Sequence, residues 1–368
     1  MSSRQYLLKY SQNWVLSAVA ALSFSLTAEA EKIVPASLKD QSPREEIRKK
    51  IFPEGTPPHA CQLISKNPAG IVDVDPSLTA VLQTLIKGVQ LGDDKALQPL
   101  FHPQIKVTTS QIKGALSSIS RISGAKMDAS LLRAYALNNV SGETSAIPCP
   151  EDGFLLHPLY GHPLQVGVWI QAVGREEVTR VYAILIPTKD KWLIGAWHVQ
   201  QWTHTGKDYT MWFDQGKALV VKHDDIAAWL YFDLVEKLLD GGKFIVFPIA
   251  KEVAAERNKL LGGKPLAEEL APKFPGDKLV YTASLFSRQG AALLLRFQIP
   301  GEWSATTIRD HCRAKFKLLS QEPWMQAMAG VRCGYVLPRE SPVKEGVLGG
   351  IFIDQATLSQ GAATPNGR

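Results

Sequence analysis

Four runs of strand-like texture, Leu131 to Leu137, Leu164 to Val173, Val178 to Ile186 and Trp192 to Thr203, occupy the middle of this chain. The last three are joined by the turn-forming segments Gly174-Arg175-Glu176 and Lys189-Asp190-Lys191. Connections that short pair neighbouring strands antiparallel, so these runs form a meander. Three helical stretches precede it. Pro76 to Gly92 carries Leu78, Val81, Leu82, Leu85, Ile86 and Val89 at the spacing that lines one helix face. Asp93-Asp94 opens a short helix with Leu97 and Leu100, and Gln111 to Ile122 repeats the stripe through Ile112, Leu116 and Ile119. Helices followed by an antiparallel meander make an α+β domain.

Arg4 and Lys9, the apolar run Trp14 to Leu26, and Ala28-Glu29-Ala30 ahead of Glu31-Lys32 read as an export signal over residues 1–30, cut after Ala30. The run is shorter than the roughly 20 apolar residues of a permanent span, which sets a cleaved signal against an uncleaved anchor. No cysteine follows it to carry a lipid. The expected location is therefore periplasmic or secreted, with no stable membrane anchor after cleavage.

Export governs how Cys61, Cys149, Cys312 and Cys333 are read, because thiols outside the cytosol persist as disulfides. Three connectivities are open, and the grouping of two early and two late favours Cys61–Cys149 with Cys312–Cys333. None of the four has the C-x-x-C spacing of a zinc site, so no metal centre is expected. The chain carries 41 Lys and Arg against 35 Asp and Glu, a net charge of +6. The basic residues are scattered apart from Arg48-Lys49-Lys50, which sits in the mixed-charge stretch from Lys39 and reads as solvated linker, so no nucleic-acid partner is expected.

The remaining length exceeds one ordinary core. Residues 31–71 form a Pro-rich, charged lead-in that reads as extended, broken at Pro53, Pro57, Pro58 and Pro68. Residues 72–220 make the first domain, 221–358 a second, and 359–368 a small, polar, disordered tail. The second domain starts with an apolar helix from Ile226 to Leu239 behind an aspartate cap, then a more polar helix from Ile249 to Leu261. A β-β-α-β-β order follows: Lys278 to Phe286, Ala291 to Ile299, Thr306 to Ser320, Val331 to Leu337 and Val347 to Ile353. A Cys312–Cys333 bridge would staple that helix to the strand after it.

The stretch from Leu85 to Pro103, with Gly92-Asp93 and then Leu100-Phe101-His102-Pro103, resembles the nuclear-transport-factor-2-like superfamily, shared with SnoaL and ketosteroid isomerase. Trp192 to Trp202 looks like the closing strand of that family. The resemblance covers about Val72 to Lys207 and implies a cone of helices against a curved antiparallel sheet. The isomerases carry a carboxylate on the first strand beyond the Leu-Phe-His-Pro-like stretch. Here that segment reads Ile105-Lys106-Val107-Thr108-Thr109, without an acid.

A curved sheet of this kind encloses a pocket on its concave face. Period-2 alternation puts Trp192, Ile194, Ala196, His198, Gln200 and Trp202 on one face. Neighbouring strands add Trp169 and Gln171, or Arg180 and Tyr182, depending on register. Trp192, His198, Trp202 and Trp169 are therefore the candidate ligand-binding residues. The competing reading is that the tryptophans pack a helix and His198 is a hydrogen-bonded wall residue.

Other constellations carry less. His157 and His162 flank a Pro- and Gly-containing loop with no third ligand near, and no G-x-S-x-G elbow exists. The Gly pairs at 241–242 and 262–263 lack the upstream glycine of a phosphate loop and read as helix C-caps. Asn139-Val140-Ser141 fits a glycosylation sequon. No catalytic residue and no cofactor are assigned. The expected function is an exported, non-enzymatic binding or envelope-associated module, for a small apolar molecule or an envelope protein. The alternative is a small enzyme of isomerase or hydrolase type with His198 or His102 as general base.

Overall fold

A computed structural model describes residues 24–26, 42–66, 75–105, 107–140, 145–149, 153–159, 161–175, 177–301, 303–338 and 350–354. The proposed cleavage site at Ala28 to Ala30, Ser141 of the sequon and the tail at 359–368 lie outside these residues. The protein has an α+β fold that divides into two compact units. Described residues within Leu22–Asp208 and Leu238–Lys251 form the first, and those within Tyr209–Lys237 and Glu252–Arg368 form the second. The division thus falls at 208/209 rather than at 220/221, and Leu238–Lys251 returns to the first unit. Composition does not shift at these points, so the sequence carries no signal there.

In the first unit, β1 (Phe24–Leu26), β2 (His59–Ser65), β3 (Asp128–Asn139), β6 (Leu164–Val173), β7 (Val178–Pro187) and β8 (Trp192–Gln201) form one antiparallel sheet in the order β1-β8-β7-β6-β3-β2. The strands β4 (Ile147–Cys149), β5 (Phe154–Leu156) and β9 (Ile245–Val246) make a second, three-stranded sheet. Among its described residues the unit also holds the α-helices α1 (Ser42–Ile51), α2 (Pro76–Leu91), α3 (Asp94–Leu97) and α4 (Thr109–Ser123).

The starts of α2, α3 and α4 are chemically explained. The Asp75 carboxylate accepts from Ser77 N at 2.9 Å ahead of Pro76, Asp93 caps Ala96 N at 3.0 Å, and Thr108 with Gln111 closes a reciprocal capping box. The α2 stripe is buried at Leu78, Val81, Leu82, Leu85 and Val89, and packs with Ile112, Leu116 and Ile119 of α4 into one apolar cluster. Val166, Val168, Ile170, Val181, Ala183 and Leu185 supply its sheet side.

The lead-in is not extended throughout. Helix α1 sets Glu45 in its first turn and Arg48, Lys49 and Lys50 in its last, where the helix dipole favours each sign. Arg48 holds Glu45 through a 2.8 Å bond from Nε, while Ile51 and Phe52 are buried in the cluster. Lys49 and Lys50 are thus the exposed side of the helix, while Arg48 is half-buried and its Nη1 reaches Asn138 Oδ1 at 3.4 Å. Strand β2 follows, and the Cys61–Cys149 disulfide ties it to β4.

Gly174 sits where the β6–β7 turn meets the end of α4. A methyl group there would fall 1.5 Å from the Ser123 carbonyl oxygen, which cannot move without breaking the helix end. Gly174→Ala is expected to cost about 1–3 kcal/mol, read as a lower urea midpoint at unchanged slope.

The second unit holds α5 (Tyr209–Val221), α6 (Asp225–Leu238), α7 (Ile249–Lys259), α8 (Leu266–Leu270) and α9 (Ala305–Leu319), whose first and last residues are those of the helices rather than of the unit. Its sheet runs β10 (Lys278–Ser287), β11 (Gly290–Gln298), β12 (Gly330–Val336), β13 (Gly350–Asp354). The hairpin β10–β11 is antiparallel, whereas β11 and β12 pair in parallel across the α9 crossover. The Cys312–Cys333 disulfide joins α9 to β12. Helix α5 lies in the stretch assigned to the first domain, but Phe213 meets Phe232 of α6 at 5.5 Å and Trp212 meets Tyr231 at 5.1 Å.

Candidate functional site

The alternation along β8 is interrupted once, and this decides which residues share a face. Leu185 pairs with Ile194 and Ile184 with Ala196, so Gly195 is an extra residue, a β-bulge. One inserted residue exchanges the two faces of everything beyond it. Trp192 and Ile194 therefore lie in the helix-facing cluster with Trp197 and Val199, while His198 and Trp202 belong to the opposite side. Trp192 is 1% exposed, and its indole N–H donates to the Asp75 carboxylate that caps α2. It anchors a helix start rather than lining a site with His198.

The opposite face brings the other three together. Register places Trp169, Tyr182 and His198 side by side on β6, β7 and β8, with Gln171, Arg180 and Gln200 in the next row. The two alternatives left by the sequence, Trp169 with Gln171 and Arg180 with Tyr182, are thus both present. The layer above them is aromatic. Phe154 of β5 meets Trp169 at 4.2 Å and Tyr135 at 5.1 Å, Phe247 meets Trp169 and Trp202 at 6.3 and 6.0 Å, and Phe244 stands edge-on to His198 at 6.3 Å. Arg180 lies over the Trp202 ring, 3.2 Å from its centroid, a cation–π contact.

His198 is fully buried, and its Nε2–H donates to the Asp240 carbonyl oxygen at 2.8 Å. Burial holds its pKa below the ordinary imidazole value, against the opposing pull of Asp240. Burial likewise pushes the Tyr182 hydroxyl up to about 12, so both rings are neutral at physiological pH. A neutral, enclosed imidazole spent on a backbone carbonyl is a poor general base. His198→Ala is expected to cost about 1–3 kcal/mol by leaving that carbonyl unpaired. Because the folded pKa is depressed below the unfolded value of 6.5, the His198 contribution is present in full above that pH and declines below it. Thermal melts of wild type and variant between pH 7.5 and about 5 check both statements, with the gap narrowing in acid.

His102 lies outside this layer. Its backbone N–H donates to the Ile194 carbonyl at 3.0 Å, and its Nδ1 accepts from Gln104 N at 3.3 Å. A groove of about 480 Å³ runs along α2 and α3, lined by Gln83, Thr84, Lys87, Leu91 and Asp93, without any aromatic wall. The chain matches no protein-family model, no curated protein and no solved structure.

Two clusters in the second unit escaped the sequence reading, because each joins residues far apart in the chain. His311 on α9 links Asp277 Oδ1, 3.0 Å from Nε2, to the Tyr335 hydroxyl, 2.9 Å from Nδ1. Lys315 Nζ pairs with the other Asp277 oxygen. Burial raises the Asp277 carboxyl, but Lys315 and His311 outweigh it and hold it below its ordinary value. Burial, with Asp277 adding to it, pushes Tyr335 up. Trp303 and Phe297 stand edge-on to the imidazole at 5.1 and 5.0 Å. The second cluster centres on Asp233 of α6, whose oxygens accept from Lys237 Nζ at 2.5 Å, Arg257 Nη1 at 3.2 Å, and Ser284 N and Oγ at 2.7 Å each. Both clusters tie helices to the sheet. Among the described residues no group of three His, Cys, Asp or Glu side chains has metal-holding geometry, and no helix is long and apolar enough to cross a membrane.

Proposed function

We propose that the chain is an exported, non-enzymatic protein-binding module, in which a nuclear-transport-factor-2-like cone serves as scaffold rather than as a chamber. The observation that carries this reading is that both faces of the sheet are filled. Trp192, Trp197 and Val199 pack with the α2 and α4 stripes on the helix side, and on the other face Trp169 at 4% and His198 at 0% exposure meet Phe154, Phe244 and Phe247. Two disulfides support an oxidising compartment. The Leu85-to-Pro103 stretch supports the cone, since it forms the end of α2 and all of α3, and then bridges Phe101 to Ile194 of β8. A small apolar molecule is the weaker partner, because the walls that would hold it touch each other.

Residue-specific photocross-linking in the native compartment tests the reading, with probes at exposed positions of both units. Discrete cross-links to one protein partner are the expected result. Absence of any protein cross-link, together with turnover or binding of a small molecule, overturns it. The enzyme reading keeps one foothold, the carboxylate–imidazole–phenol chain Asp277–His311–Tyr335. In that reading Asp277→Asn abolishes an activity, whereas as a structural tie it lowers stability alone.

A further inference from the structure

The six-stranded sheet ends differently at its two edges. At one edge β2 is tied to β4 through Cys61–Cys149. At the other, the outer side of β8 is met by the three-residue β1, antiparallel, with Phe24 opposite Val199, Ser25 opposite His198 and Leu26 opposite Trp197. Strand β1 falls inside the apolar run of the export signal, ahead of Ala28-Glu29-Ala30. Strand β8 itself reads Trp-Leu-Ile-Gly-Ala-Trp-His-Val-Gln-Gln, with no charged residue and no proline to keep it from pairing; its one irregularity, the Gly195 bulge, lies ahead of the Trp197-to-Val199 stretch.

We propose that removal of the export signal takes β1 from the sheet and opens the β8 edge at Trp197 to Val199 as the docking site for an extended segment of a partner protein, added as an antiparallel strand. The inference rests on the protein-binding reading above and names the chemistry of the partner. Directly opposed residues share a face of the sheet. The positions opposite Val199 and Trp197 lie on the helix-facing side, where both residues join the apolar cluster, and so select bulky apolar side chains. The position opposite His198 lies on the other side, where Tyr182 stacks on the imidazole and Phe244 closes it edge-on, and so selects a small one. Main-chain hydrogen bonds supply affinity and this apolar–small–apolar pattern supplies selectivity. A second copy of the chain fits less well, because antiparallel self-pairing centred on the Trp197-to-Val199 segment sets His198 against His198.

The test uses the exported chain beginning at Glu31 and an acetylated peptide of residues 22–28, Leu-Ser-Phe-Ser-Leu-Thr-Ala. Fluorescence anisotropy should show saturable binding, and hydrogen exchange should show protection gained at the amides of Trp197 to Val199. A peptide with Ser25→Trp, and one with Phe24→Ala and Leu26→Ala together, should each bind about tenfold more weakly. Equal affinity for these peptides, protection elsewhere, or a dimeric chain whose β8 amides are already protected would overturn the inference. If the peptide fails while a partner is still cross-linked at another surface, the edge is wrong and the protein-binding reading stands. If neither peptide nor partner is captured, both fall.

Discussion

Replacing Cys61 and Cys149 together by Ser should destabilise the first unit by about 4–5 kcal/mol, more than any single side-chain change in it. The bridge closes a loop with a sequence separation of 88 and so removes much conformational freedom from the unfolded chain. It also holds β2, which has only β3 as a partner within its sheet. The Cys312–Cys333 loop, with a separation of 21, should contribute only about 3 kcal/mol. Urea unfolding of the two double variants checks the order. A first-bridge loss no larger than the second would contradict the placement of β2 as a tethered edge strand.

Asp233→Ala should cost the second unit about 3–5 kcal/mol, because it takes the carboxylate from Lys237 beside a buried, empty position, leaves Arg257 to Glu236 and unpairs Ser284 N. Asp233→Asn keeps the shape and loses the charge, so it should fall between wild type and Ala. Desolvation raises this carboxyl, yet Lys237 and Ser284 together hold it below its ordinary value. A folded pKa below the unfolded one means that the stabilisation is complete above about pH 4 and is lost as the pH falls further. Asp277 shifts in the same direction, so the two carboxyls act together. Acid titration followed by circular dichroism should show wild type losing stability below that pH and Asp233→Ala showing a shallower dependence. A variant as stable as wild type at neutral pH would remove the cluster from the account.

Much of the architecture was legible because it rests on local signals. The α2 stripe, the acids that open α3 and the Gly174 turn are each written within a few residues, and each is where the pattern puts it, whereas the Asp75 cap of α2 emerged only in the structure. The cysteine pairing followed from chain order. The candidate site was less legible, since a single bulged residue, Gly195, exchanged the faces of β8 and separated Trp192 from His198. No local pattern announces an insertion that small. Helix α1 was hidden because its apolar contacts, Ile51 and Phe52, adjoin Pro53 and follow three basic residues. The aromatic layer depends on Phe154, Phe244 and Phe247 arriving from distant segments, and the Asp233 and His311 clusters likewise assemble only in three dimensions.

The central claim is that the face carrying Trp169, Tyr182 and His198 is filled interior. Native mass spectrometry of the protein, purified from its native source without denaturation, tests it most directly. The account predicts the mass of the oxidised polypeptide alone, or of that polypeptide with a protein partner. A stoichiometric small-molecule adduct that is lost when Trp169 is replaced by Leu, with the fold retained, would contradict it.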